Sequence, residues 1–350
     1  MKRLIVHVGP GKTGSTAIQH TLRRSRSELS AENIAYWGHS LNLAPIQAYS
    51  WQGMSQGQLL KEMMQRKDLP AEFADCVARS FSTGPQQAIV SNETFGGQER
   101  WCIPLLRAVE HAGIDILVIA YVRSPLAKIQ SAYSEGHLRR KTHPGRIRSF
   151  AEVGYRQRVA APLEAFVHAF GDSVEVRNYD AVGDVVVDFM SAVGIDVKLP
   201  HILANVRPGP EAELIRAFYN DRQKGTVAPA EFRSFANPKH VDLEFDVLSW
   251  YRGLLPKEED IVSAAHAMVD ETKRLNALLA QRGQPLLSDR AELAIRPEIS
   301  TDRLVGVLLQ IVYSQHLRLS ALEEENQLLI RSAKVGDKGR NRSVDDVTGP

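Results

Sequence analysis

Eight residues near the amino terminus, Gly9-Pro10-Gly11-Lys12-Thr13-Gly14-Ser15-Thr16, carry the densest chemistry in the chain. They stand between a short β-branched run, Leu4 to Val8, and a stretch whose Ile18, Leu22 and Leu29 share a helical face. Glycine lets the backbone turn so that several N–H groups point at one anion. The amino end of the following helix adds the positive end of its dipole, and Lys12 adds a full charge. The hydroxyls of Thr13, Ser15 and Thr16 add donors. This combination is a phosphate site, because a plain strand-to-helix turn has no use for a lysine among three hydroxyls and three glycines.

A second group lies where the central apolar run, Ile114–Val122, ends. Arg123-Ser124-Pro125 follows it, with Ser131 eight residues after Arg123 and Tyr133 close behind. An arginine at a strand's carboxyl end and a hydroxyl on the next helix form a second anion clamp, at the edge where open α/β sheets bind ligands. Taken alone, Arg123 reads as a helix-entry charge paired with a surface carboxylate. Glu93 is the first candidate for a general base, because Ile89-Val90-Ser91-Asn92-Glu93 sets a carboxylate just past a buried strand. The competing reading of Glu93 is a solvated loop carboxylate or a helix cap before Phe95. His7 reads as an interior, hydrogen-bonded histidine, and His137 and His143 are lesser candidates for the base.

These side chains need a sheet to hold them. Leu4–Val8, Ala88–Val90 and Asp115–Val122 read as buried strands, and Ser173–Asn178 as a fourth strand. Between and after them, Thr13–Leu29, Ile103–His111, the stretch from Pro125 to Tyr133 and Val185–Val193 read as helices, the last closed by Gly194. Residues 41–70 read only as helical. The alternation predicts an α/β fold, a P-loop-like parallel sheet flanked by helices. Past residue 210 the pattern turns all-helical, with Glu211–Asn220, Leu243–Leu254 and Glu258–Gln281 predicting a helical C-terminal annex. The expected organisation is a phosphate-binding domain over 1–220, the annex over 221–300 in a position to cap the site, an amphipathic or coiled-coil helix over 301–333, and a disordered polar tail over 334–350.

Within 301–333, Val305, Leu308, Val312, Gln315, Leu319, Leu322, Asn326 and Leu329 are spaced alternately by three and four. That is a seam of about three heptads, suited to a homodimer through 305–329 or to packing on the chain's own domain.

Composition narrows the remaining classes. With 350 residues, 43% apolar and 24% charged, the chain is an ordinary globular mixture, and its formal charge of +2 gives no global basic field. Cys76 and Cys102 read as small buried hydrophobes rather than a disulfide framework or a metal cluster. The longest apolar stretch contains Asp115 and falls far short of a membrane span, and Leu4–Val8 is too brief for a signal-peptide core. A cytoplasmic protein with no transmembrane segment is expected. His137 to Arg148 carries Arg139, Arg140, Lys141, Arg146 and Arg148 and no acidic residue, which reads as a solvated charge run or as a receiver of an anionic ligand. Nucleic acid is not expected, since the run lacks interleaved aromatics.

Which phosphate ligand follows from what the loop lacks. A nucleoside-triphosphate loop requires glycine five residues ahead of the Gly in Gly-Lys-Thr, and Val6 stands there instead. No strand ends in an evident acidic residue for magnesium. Together, Lys12-Thr13-Gly14-Ser15-Thr16 with Ala17-Ile18-Gln19, and Arg123, Pro125, Ser131 and Tyr133 at their spacing, resemble the PAPS-dependent sulfotransferase superfamily, in its bacterial and carbohydrate-type branch. A looser likeness runs through Val176-Arg177-Asn178-Tyr179-Asp180, Asp188-Phe189-Met190 and Val193-Gly194-Ile195. Asn205-Val206-Arg207-Pro208 departs from the commoner Asn-x-Ser form of a third cofactor contact.

The resemblance spans about residues 1–220. It implies that the loop residues Gly11 to Thr16 cradle the 5′-phosphosulfate of PAPS (3′-phosphoadenosine-5′-phosphosulfate). It implies too that Arg123 and Ser131 bind the 3′-phosphate, with Glu93 or a histidine as base and no metal. The expected reaction moves a sulfuryl group from PAPS to an acceptor hydroxyl on a saccharide or glycolipid; a phenol or sterol acceptor is weakly disfavoured by the 7% aromatic content. Two other readings stand beside it: a P-loop kinase using ATP and magnesium, and a non-catalytic assembly protein that binds an anionic polymer.

Overall fold

The computed structural model describes residues 2–154, 158–196, 199, 210–227, 247–288 and 298–305, with further positions between 307 and 326. The chain opens with β1 (Arg3–His7), α1 (Ser15–Arg24), α2 (Arg26–Ala31) and β2 (Ile34–Tyr36). Helices α3 (Gln56–Gln65) and α4 (Leu69–Phe81) lead to β3 (Gln87–Ser91), α5 (Glu99–His111) and β4 (Asp115–Val122). Then come α6 (Pro125–Tyr133), a π-helical turn over Ser134–Arg139, α7 (Phe150–Val153), α8 (Ala160–Phe170), β5 (Val174–Asn178) and α9 (Val185–Ala192). Helices α10 (Pro210–Arg222), α11 (Val247–Leu254), α12 (Glu258–Ala267) and α13 (Val269–Gln281) follow.

The fold is α/β. Five strands form one sheet in the order β2-β3-β1-β4-β5, all parallel. Strand β1 is central, with Val6 beside Val90 on one side and Val118 on the other. Its alternation sorts the two layers: Leu4, Val6 and Val8 face the apolar cluster with Phe73, Leu106 and Phe166, while Ile5 faces the one with Ile18, Leu22 and Phe189. The chain leaves β1 toward one edge of the sheet and leaves β4 toward the other. The crevice at their carboxyl ends is therefore the topological switch point, where open sheets of this kind bind ligands.

Some elements differ from the sequence expectation. Strand β2 has only three residues, too few to show a pattern, and is buried because it pairs with β3. The helix expected over Thr13–Leu29 begins later and breaks at Ser25 into α1 and α2. Residues 41–70 include irregular backbone and a 3₁₀ turn over Ser50–Gly53 before α3. The helix expected over Glu258–Gln281 breaks at Met268.

Two compact units emerge. The first comprises Met1–Gly136, Arg148–Arg207 and Gly253–Leu293; the second draws on His137–Ile147, Pro208–Arg252 and Ala294–Pro350. These units interleave along the chain, whereas the sequence division at 220 and 300 runs in consecutive blocks. In the first, Leu275, Leu278 and Leu279 of α13 join the sheet's main apolar cluster, and Glu271 accepts the N–H groups of Val159 and Ala160 at the start of α8. In the second, Lys141 is buried, donating to the Asn220 carbonyl at 3.0 Å and to the Gln223 carbonyl, so it ties down the end of α10. Lys141 is therefore neither solvated nor placed to receive a ligand, which corrects both readings of the basic run at this position. Asn205–Pro208 and 334–350 lie outside the described residues.

Candidate functional site

The loop after β1 turns on residues of left-handed backbone. Lys12 adopts φ 74°, a conformation that costs a non-glycine residue about 1–2 kcal/mol. Gly14 adopts φ 79°, and a side chain there would meet Val185 at 2.7 Å and Tyr179 at 3.0 Å. Only glycine combines that backbone with that closeness. The result is an open amino end on α1: no side chain caps it, and its first turn holds no acidic residue. The backbone N–H groups of Thr13, Gly14, Ser15 and Thr16 meet no acceptor among the described residues. Ser15 Oγ is buried there without a hydrogen-bond partner. Four successive N–H groups and one buried hydroxyl without acceptors define an anion cradle. Thr13 departs from the sequence reading: its buried hydroxyl donates to the Pro10 carbonyl at 2.6 Å, so it braces the loop instead of donating to a ligand. Thr16 is exposed.

Glu93 lies against this loop. It starts a 3₁₀ turn (Glu93–Gly97) whose cap, Asn92, accepts the Thr94 N–H at 3.0 Å and donates its own N–H to the His7 carbonyl at 2.9 Å. A side chain at Gly11 would meet the Glu93 carboxylate at 3.5 Å. Gly96 passes so close to the backbone of Val8 and Gly9 that a Cβ there would lie 2.2 Å from the Gly9 carbonyl oxygen. The loops after β1 and β3 are thus strapped together, which sets Glu93 beside Gly11. The Glu93 carboxylate makes no hydrogen bond or ion pair among the described residues.

Arg123 stands at the carboxyl end of β4, next to β1. Its Nε donates to Asp180 at 3.0 Å, and the Ser124 N–H donates to the other Asp180 oxygen at 2.8 Å. The guanidinium lies over the Tyr179 ring, 5.5 Å from its centre. Its two terminal nitrogens make no hydrogen bond among the described residues. Tyr179 therefore touches both the phosphate loop, at Gly14, and Arg123. The segment that carries Tyr179 and Val185 is fixed from behind: Arg177 and the Tyr121 hydroxyl both donate to Asp188, which joins β4 and β5 to α9. Burial works against the Asp188 charge, but these two donors outweigh it and hold its carboxyl below the usual range.

Ser131 lies one turn before Glu135, on the same side of the run that continues α6 into the π-helical turn. Glu135 reaches Lys12 at 3.6 Å, which ties the start of the π-helical turn to the loop. Sequence reasoning missed Glu135, Asp180 and the role of Tyr179. Asp180 alone left a usable signal, a carboxylate just past a strand on the ligand-binding edge. His7 lies inside, with Nδ1 2.8 Å from Ser91 Oγ and its ring edge-on to Tyr121 and Phe189. Burial lowers its pKa to about 4, which keeps it neutral. His137 and His143 lie ring to ring in the second unit, centres 5.0 Å apart and tilted by 43°.

The architecture defines an α/β protein, with a loop of unpartnered N–H donors at the switch point of its sheet. No protein-family model and no curated protein matches the chain. Among solved structures, it is similar to the Deinococcus radiodurans tunicamycin resistance protein, at 13% identity, over 57% of this chain and 100% of that one, with a TM-score of 0.34.

Proposed function

We propose that the chain is a sulfotransferase that moves the sulfuryl group of PAPS to a hydroxyl on a saccharide or glycolipid. The observation that carries this reading is the pair of cation-bearing turns on adjacent strands: the open cradle with Lys12 after β1, and Arg123 with unpaired terminal nitrogens after β4. One such turn suits any phosphate. Two on neighbouring strand ends suit a ligand phosphorylated at two places, and the residue spacing matches the sulfotransferase pattern. When bound, PAPS supplies a sulfuryl group on a phosphate leaving group.

The chain's own residues then have separable work. Lys12 and the N–H groups of Thr13 to Thr16, with Ser15 Oγ, stabilise charge that grows on the 5′-phosphate side. The terminal nitrogens of Arg123 and the Ser131 hydroxyl hold the 3′-phosphate. Glu93, beside Gly11, takes the proton of the acceptor hydroxyl on its carboxylate. The reading assigns no role to a metal and places the protein in the cytoplasm; no helix among the described residues is long and apolar enough to cross a membrane. Glu93 is also the observation that favours a second reading, a P-loop kinase, since a carboxylate beside a phosphate loop is what a magnesium ion needs.

The test is release of 3′-phosphoadenosine-5′-phosphate from PAPS in the presence of saccharide and glycolipid acceptors. Lys12→Ala is expected to lower turnover about 100-fold or more while keeping most affinity for the 3′-phosphorylated nucleotide. Glu93→Gln is expected to lower turnover with donor affinity intact. Full activity in Lys12→Ala would sink the assignment, and an unchanged rate in Glu93→Gln would move the base elsewhere.

A further inference from the structure

The described positions from 301 to 326 are helical and carry apolar side chains in two directions. Leu304, Val307 and Ile311 are half-buried, and the Ser300 N–H donates to Glu211 at the start of the run. Val305, Leu308, Val312, Leu319 and Leu322 are different: each is between 41% and 64% exposed. They are half of the ten large apolar side chains exposed among the described residues, and all five fall on one helix. A contiguous stripe of that kind marks an interaction surface rather than scattered surface hydrophobes.

The spacing identifies what covers it. Alternating steps of three and four put Val305, Val312, Leu319 and Asn326 at a positions, and Leu308, Gln315 and Leu322 at d positions, of a heptad seam. Such a seam is complementary to another helix with the same repeat. We propose that this stripe pairs with the same stripe of a second copy of the chain, parallel and in register.

Asn326 selects that arrangement. In parallel register Asn326 meets Asn326 of the second copy, so each of these amides finds an amide. Centring the helices antiparallel on the same stretch sets Asn326 against Leu308. That arrangement buries an amide against leucine, which is unfavourable. The pairing stands independently of the chemistry proposed for the phosphate loop.

Sedimentation equilibrium of the full chain over a wide concentration range tests the proposal. The mass is expected to rise from 38.9 kDa toward twice that value, and Leu319→Asp with Leu322→Asp is expected to remain monomeric with an unchanged melting curve. Val305→Cys tests direction. In parallel register the two cysteines face each other and form a covalent dimer under mild oxidation, whereas antiparallel helices hold them about 36 Å apart. Cys76 and Cys102 are buried and do not compete. A wild-type chain that stays monomeric leaves the stripe to a different partner and overturns the proposal. A dimer that survives the double aspartate variant overturns it too. A dimer in which Val305→Cys fails to cross-link overturns the parallel register.

Discussion

Arg123 and Asp180 show how one ion pair can prepare a cation for a ligand without consuming it. Asp180 accepts from Nε of Arg123 and from the Ser124 N–H, so both of its oxygens are spent on the turn after β4. The outer edge of the guanidinium stays available for a bidentate contact. The pair is about one-third exposed, so its Coulombic value is modest and its value as a brace is what matters. Two roles then predict opposite signs. If Asp180 merely neutralises Arg123, removing it tightens anion binding; if it orients Arg123, removing it loosens binding. We expect Asp180→Ala to weaken binding of 3′-phosphoadenosine-5′-phosphate about tenfold and to leave adenosine 5′-phosphate unchanged, as calorimetry would read. Tighter binding would contradict the orienting role. Lys12, Ser15 and Arg123 were legible in the sequence because the turns that hold them are local and compositionally distinctive. Glu135 was not, since it matters only through a partner that folding brings near, and the signal at Asp180, a carboxylate just past β5, was passed over. Thr13 was misjudged for a related reason: its hydroxyl has a backbone acceptor three residues back, at Pro10.

At the level of elements, β1 is the part on which the site depends. Its carboxyl end carries the phosphate loop, and its last residue, His7, is enclosed by Ser91 of β3, Tyr121 of β4 and Phe189 of α9. This enclosure makes stability pH-dependent in a defined direction. His7 has a folded pKa of about 4 against an ordinary 6.5, so between these values the unfolded chain binds a proton that the folded chain refuses. The stabilisation is complete above pH 6.5 and is lost as the pH falls toward 4, by about 3 kcal/mol over that range. Urea unfolding across this window should show a steeper loss for the wild type than for His7→Asn, and identical slopes would contradict the assignment. The strands with continuous apolar runs, β1, β3 and β4, were legible because burial on both faces leaves that signature, and β5 was legible from the alternation of Val174 and Val176 with Glu175 and Arg177. Strand β2 was not, because three residues show no period and their burial is created by pairing with β3. Helix α13 was legible as a helix, but its packing on the sheet's own cluster depends on shape rather than on sequence pattern.

For the molecule as a whole, the sheet order places the two cation-bearing turns at one switch point, and the C-terminal stripe is proposed as a surface for a second copy. Neither feature requires the other, so each stands or falls on its own experiment. The central claim is that the paired turns recognise a nucleotide phosphorylated at both the 5′ and 3′ positions. Calorimetric titration of the purified chain with 3′-phosphoadenosine-5′-phosphate, against ADP and ATP with and without magnesium, tests it most directly. The expected result is preference for the 3′-phosphorylated nucleotide in the absence of metal. Preference for ATP with magnesium would contradict the account and transfer the loop, with Glu93 beside it, to the kinase reading.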